Sequence, residues 1–167
     1  MKLYKLTNKR MKTLDSFPYE LGVEAKANST KPAKLCTSGV LHAYVDPVLG
    51  LLLNPAHAAF RCPRVFEAEG VVVVDDGTKV GVRALTLTRQ LCAVEVTTDH
   101  RVEFAIRCAL EVYNAPEYKV WADGWISGDR TYADAVRYAA ATRYADVVMN
   151  ALRACPWYAE MFTEITQ

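Results

Sequence analysis

The sequence is poor in the features that name a protein at sight. It has no cysteine pair at C-x-x-C spacing, only three histidines, and a net charge of +1 over 167 residues. Five cysteines (Cys36, Cys62, Cys92, Cys108 and Cys155) are an odd number without a motif, which argues against a disulfide framework and against a thioredoxin-type redox pair. Reduced thiols in a cytoplasmic setting are expected. No apolar run approaches the roughly 18 residues that span a bilayer, and "MKLYKLTNKRMK" lacks the apolar core of a secretory signal. A soluble, intracellular protein with no membrane association is the expectation. There is no G-x-G-x-x-G, Walker loop, H-E-x-x-H or G-x-S-x-G, so the readily named nucleotide, metalloprotease and hydrolase sites are excluded.

What is present is globular. Hydrophobic residues make up 51% and charged residues 23%, enough apolar surface for one domain with its own core, expected over 1–167. The small net charge conceals a gradient. Residues 1–34 carry eight Lys and Arg against three acids, residues 35–96 five against six, and residues 97–167 seven against ten. Clustered positive charge at the N-terminus can steer an acidic partner, but few aromatics lie between the lysines as a nucleic-acid stacking platform requires. The arginines of the C-terminal part do not share one helix face, and nucleic acid is not an expected partner.

Residues 1–96 read as mainly β. "KLYKL" alternates and predicts a short edge strand whose lysines discourage pairing with another chain. "KANSTKPAK" is a polar loop, and "GVLHAYV" a strand with Val40, His42 and Tyr44 on one face. Asp46 before Pro47 is a helix start, predicting a short buried helix over 47–53 that ends at "NP". "RVFEAEGVVVV", "DDGT" and "KVGVRALTLTRQLCAVEV" predict a strand, an Asp-Gly turn and a returning strand.

Residues 97–167 turn to helical periodicity. Val102, Ala105, Ile106, Ala109, Leu110 and Tyr113 line one face of a helix beginning near Thr98 or Asp99 and stopping before Pro116. A second helix over 117–126 carries Trp121 and Trp125. A third starts after "SGD", with Thr131 and Asp134 as a weak capping box, and runs to about Arg153. A last short segment follows Pro156. The fold class expected is therefore α+β: an N-terminal antiparallel sheet with one short inserted helix, then a C-terminal helical half packed on it. The third helix is apolar on two sides. Ala133, Val136, Ala140, Val147 and Ala151 form one stripe, and Tyr138, Met149 and Leu152 another; such a helix is either buried within the chain or an interface, with Tyr138, Met149 and Leu152 the interface candidates, including for a homo-oligomer.

Chemistry-bearing residues concentrate in "KLCTSGVLHAYVDPVLGLLLNPAHAAFRCP". Cys36, His42, His57 and Cys62 are suitable zinc ligands by type, but C-x5-H and H-x4-C match no compact finger, and no metal is expected. His42 and Tyr44 project from one strand face. Either they line a pocket, or His42 satisfies backbone while Tyr44 fills a core edge. Glu67 and Glu69 share a strand face, where paired carboxylates can divide acid and base roles or simply face water. Asp75 and Asp76 read as turn residues.

These segments resemble an uncharacterised family found in phages and bacterial genomes. The resemblance rests on an L-C-x-x-G-x-L-H-A-Y core (Leu35 to Tyr44), N-P-x-H (Asn54 to His57), and a strand containing E-A-E (Glu67 to Glu69), and covers residues 35–143. It implies a phage or mobile-element origin and an accessory role, binding and inhibiting or redirecting a host or defence macromolecule. No cofactor is expected. Catalysis is not the first expectation. The alternative is a nucleotide-binding protein or ADP-ribosyltransferase-like enzyme with a pocket around His42. The ligand- or partner-binding candidates are then His42, Tyr44, Asn54, His57, Glu67 and Glu69.

Overall fold

The computed structural model describes residues 1–13, 16–128 and 145–167. The chain is α+β, an antiparallel sheet from the N-terminal part followed by helices. It forms two compact units, Met1–Glu95 with Glu160–Gln167, and Val96–Ala159. The sheet–helix division expected at residue 96 coincides with a unit boundary, but the last eight residues belong to the sheet unit. Arg89 holds them there by donating to the carbonyl oxygens of Thr166 at 2.9 Å and Gln167 at 3.2 Å.

The sheet is built on a long hairpin, β4 (Arg64–Asp75) and β5 (Val80–Leu91). Its turn is set by two aspartates, as the sequence indicates. Asp75 Oδ1 accepts from Gly77 N–H, and Asp76 Oδ1 accepts from the N–H groups of Thr78 and Lys79. Gly77 takes a positive φ of 78°, which glycine adopts without a Cβ penalty. β1 (Lys2–Thr7) pairs with the first half of β4, placing Leu3 opposite Ala68 and Lys5 opposite Phe66. On the other side of the hairpin, β2 (Glu24–Lys26) and β3 (Leu41–Ala43) lie end to end along β5, opposite 84–86 and 80–82.

β1 is not the bare edge that its lysines predict. Tyr44, one residue past β3, exchanges two backbone hydrogen bonds of 2.8 Å with Tyr4, so the free side of β1 is tied back to the end of β3. Register shifts in β4 at 67/68, 70/72 and 72/74 supply the bends that let the sheet curl this far, since a bulge kinks the strand and increases its twist. As a result Leu3 through Thr7 are all buried, on both faces of the strand. The core beneath includes Leu3, Leu41, Phe66, Val82, Leu85 and Leu87.

α1 (Pro47–His57) begins as predicted. Asp46 Oδ1 accepts from Leu49 N–H at 2.9 Å, and Pro47 occupies the first turn. It does not stop at residue 53. Pro55 lies inside the helix, which continues a further turn to His57. Two contacts hold this turn: the Asn54 side chain both donates to Phe60 O and accepts from Phe60 N–H, and Tyr44 bonds His57.

The second unit contains α2 (Thr98–Val112), α3 (Pro116–Ile126) and α4 (Ala145–Arg153). α5 (Tyr158–Thr166) begins in it. Thr97 caps α2 reciprocally with His100, and Ile106, Ala109, Tyr118, Ala122 and Trp125 form a core cluster. The expected third helix is described only over Ala145–Arg153. The predicted start at Thr131 and Asp134, the stripe residues Ala133, Val136 and Ala140, and the interface candidate Tyr138 lie outside the described residues. Of the other interface candidates, Met149 is half-buried, whereas Leu152 is fully buried on the same side of α4 as Val148 and Ala151. Leu152 is a core residue because a three- to four-residue helical spacing puts it with those neighbours. Among the described residues no helix is long and apolar enough to cross a membrane.

Candidate functional site

Within the sheet unit lies a cavity of about 580 Å³, a volume in the range of small-molecule sites. β1 supplies Lys5, β3 and its continuation supply His42 and Tyr44, and the end of α1 supplies His57. The segment before β2 adds Phe17 and Tyr19, the loop before β3 adds Cys36, and Lys79 comes from the hairpin turn. The sequence-predicted pocket residues His42, Tyr44 and His57 are therefore brought together. Asn54, Glu67 and Glu69 are not. Asn54 closes the chain after α1, as described above. Glu67 forms ion pairs with Lys2 at 2.7 Å and Arg89 at 3.1 Å, and these cations hold its carboxyl below the ordinary range. Glu69 is an exposed strand residue. Both glutamates lie off the cavity because strand alternation turns their side chains away from the core face.

Lys5 is the deepest polar group of the wall and was not marked by its sequence pattern. Only 5% of the residue is exposed. Its Nζ donates to the carbonyl oxygen of His42 at 2.5 Å and lies 5.1 Å from the centroid of the Tyr19 ring. No carboxylate pairs with it among the described residues, and burial lowers its pKa from 10.5 to about 7. Tyr19, likewise unmarked, is brought beside β1 by its N–H bond to Met11 O and the Lys12–Pro18 bridge. Its hydroxyl is buried without a hydrogen-bond partner among the described residues, and burial raises its pKa. Among the described residues, a phenol without a partner and an amine without a counter-ion in one wall are costly to folding, since buried polar groups ordinarily find partners.

The imidazoles are both shifted toward the neutral form. Cys36 N–H donates to His42 Nε2 at 2.8 Å, so Nε2 is the acceptor and the neutral ring carries its proton on Nδ1. Burial, with the nearby Lys5 and Lys79 charges, pushes His42 down to about 4. Cys36 itself takes a left-handed φ of 61°, and Lys79 Nζ lies 3.2 Å from its Sγ. Across the cavity, Tyr44 Oη and His57 Nδ1 are 3.0 Å apart and the two rings are stacked at 13°. Burial raises the Tyr44 phenol and lowers His57. Gly50 on α1 permits this arrangement, because a Cβ there would meet the Tyr44 ring at 3.0 Å.

The loop that carries Cys36 is tied to β5 by one side chain. Arg83 Nη1 donates to the carbonyl oxygens of Lys31 at 2.8 Å and Gly39 at 2.6 Å, with a longer contact to Asn28 at 3.4 Å. Cys62 does not line the cavity, and among the described residues no three His, Cys, Asp or Glu side chains are placed to share a metal ion. The described lining thus carries two amines, two near-neutral imidazoles, aromatic walls and no carboxylate.

No protein-family model, curated protein or solved structure matches the chain.

Proposed function

We propose that the protein binds a small organic anion of about nucleotide size in the cavity of its sheet unit. The observation that carries this reading is Lys5, a buried lysine that lines the cavity with no counter-ion among the described residues. Lys79 adds a second positive group, and Phe17, Tyr19 and Phe60 supply apolar surface for the body of the ligand. A phosphate or carboxylate would give Lys5, which now donates to the His42 carbonyl oxygen, the charge-assisted bond it lacks among the described residues. An ADP-ribosyltransferase-like reaction is less well supported, since Glu67 and Glu69 lie off the cavity. Capture of a host or defence macromolecule through α4 gains no support among the described residues, where Leu152 is core. An accessory role of phage type is compatible with small-ligand capture, and the resemblance of residues 35–143 is the support for it.

Titration calorimetry with adenosine monophosphate and cyclic adenosine monophosphate tests the proposal. Saturable one-site binding is expected, weakened about tenfold by Lys79→Ala through loss of one charge-assisted contact and abolished by His42→Ala, which removes part of the wall. Absence of binding by both nucleotides and by inorganic phosphate would sink the anion reading.

A further inference from the structure

We propose that the cavity is a carbonyl site, in which the ε-amine of Lys5 forms a reversible imine with an aldehyde or ketone group of an anionic small molecule. This rests on the reading that the cavity admits such a molecule, and it names the chemistry that the deepest group performs. Lys5 differs from lysines such as Lys2 and Lys26, which are exposed, paired with Glu67 and Glu24, and raised in pKa by those carboxylates. Lys5 has an acceptor, the His42 carbonyl oxygen, and no anion among the described residues. That oxygen takes one N–H, and once the amine is neutral its lone pair is available for bonding to a carbonyl carbon in the cavity that Lys5 lines. Its pKa of about 7 puts a large fraction in that form at neutral pH. A desolvated lysine of this kind is a competent nucleophile toward carbonyl carbon.

The step balances without a further reagent. The amine lone pair forms the C–N bond as the carbonyl π pair moves onto oxygen, which takes a proton. The oxygen then departs with both former amine hydrogens as water, and the nitrogen lone pair closes the C=N bond. Tyr44 and His57, hydrogen-bonded to each other and lining the same cavity, form the pair placed to carry the proton between nitrogen and oxygen. Lys79 takes the anionic end of the ligand.

Pyridoxal 5′-phosphate is a suitable probe because it carries an aldehyde, a ring and a phosphate. The full chain is incubated with it at pH 7, reduced with cyanoborohydride and mapped by peptide mass spectrometry, with and without adenosine monophosphate, which has no free carbonyl. The expected result is labelling of Lys5 at least about tenfold faster than of any exposed lysine, as its larger neutral fraction dictates. Adenosine monophosphate suppresses that label, and its rate levels off above pH 7 while the exposed lysines continue to accelerate. Lys5→Met removes the adduct. Labelling of Lys5 no faster than the exposed lysines overturns the imine. If adenosine monophosphate still binds in that case, the anion-binding reading stands and only the carbonyl chemistry falls; if it does not bind, both fall.

Discussion

Replacing Lys5 with methionine should stabilise the unliganded protein, although it deletes a hydrogen bond in a buried strand. The amine falls from a pKa of 10.5 to about 7 on burial. At about 1.4 kcal/mol for each tenfold change in proton affinity, holding it in the folded state at neutral pH costs about 4 to 5 kcal/mol. Methionine keeps the apolar stem without the amine, and forfeits one hydrogen bond to His42 O worth about 1 to 2 kcal/mol. A net gain of about 3 kcal/mol follows, or a rise in Tm on the order of 10 °C for a chain of this size. The gain has a pH signature. Between the folded value near 7 and the unfolded value near 10.5, the unfolded chain binds the extra proton, so wild-type stability rises with pH by at most about 1.4 kcal/mol per pH unit. Below pH 7 both states are protonated and the full penalty applies. The advantage of Lys5→Met is therefore greatest below pH 7 and shrinks above it. Urea unfolding of both proteins from pH 6.5 to 9 measures this, with the other titrating groups common to both. A variant less stable than wild type at pH 6.5, or an advantage that does not change with pH, would refute the reasoning.

Three further outcomes follow from the same wall and its supports. Tyr19→Phe removes a buried hydroxyl that has no hydrogen-bond partner among the described residues and should raise stability by about 1 kcal/mol in the same unfolding assay. Arg83→Ala frees the carbonyls of Lys31 and Gly39; hydrogen exchange of the Asn28 amide, which bonds Ser38 O, should speed up by about tenfold or more, with the β4–β5 amides changing less. Because a bound anion raises the Lys5 pKa above its free value of about 7, adenosine monophosphate affinity should fall as pH rises above 7, by at most about tenfold per pH unit; a flat profile from pH 7 to 9 would place the phosphate away from Lys5.

The parts of the site visible in the sequence are those fixed by local chemistry. Alternation in "GVLHAYV" puts His42 and Tyr44 on one face, Asp46 and Pro47 start a helix, and two aspartates before glycine make a turn. Each depends on a few neighbouring residues. Lys5 depends on distant ones. "KLYKL" has the alternation of an edge strand, and what buries it is the return of Tyr44 to Tyr4, forty residues apart, together with the Tyr19 ring. No local pattern carries that information. His57 reaches the cavity only because α1 runs through Pro55, against the local rule that the residue before proline leaves the helix. Asn54 supplied the reason, as a residue that bonds the backbone on both sides of Phe60. Glu67 and Glu69 show the converse. Their spacing marks them as a pair, but only the sheet register reveals that Lys2 and Arg89 already engage Glu67.

The central claim, a buried amine without a counter-ion among the described residues in the wall of a ligand cavity, is tested most directly by titrating Lys5 itself. In protein labelled with carbon-13 and nitrogen-15 lysine, the Cε and Nζ signals absent from Lys5→Met report its protonation. A midpoint near pH 7 that moves upward when adenosine monophosphate is added is the predicted result. A midpoint near 10.5, unmoved by the nucleotide, would show a solvated lysine and contradict both the site and its proposed ligand.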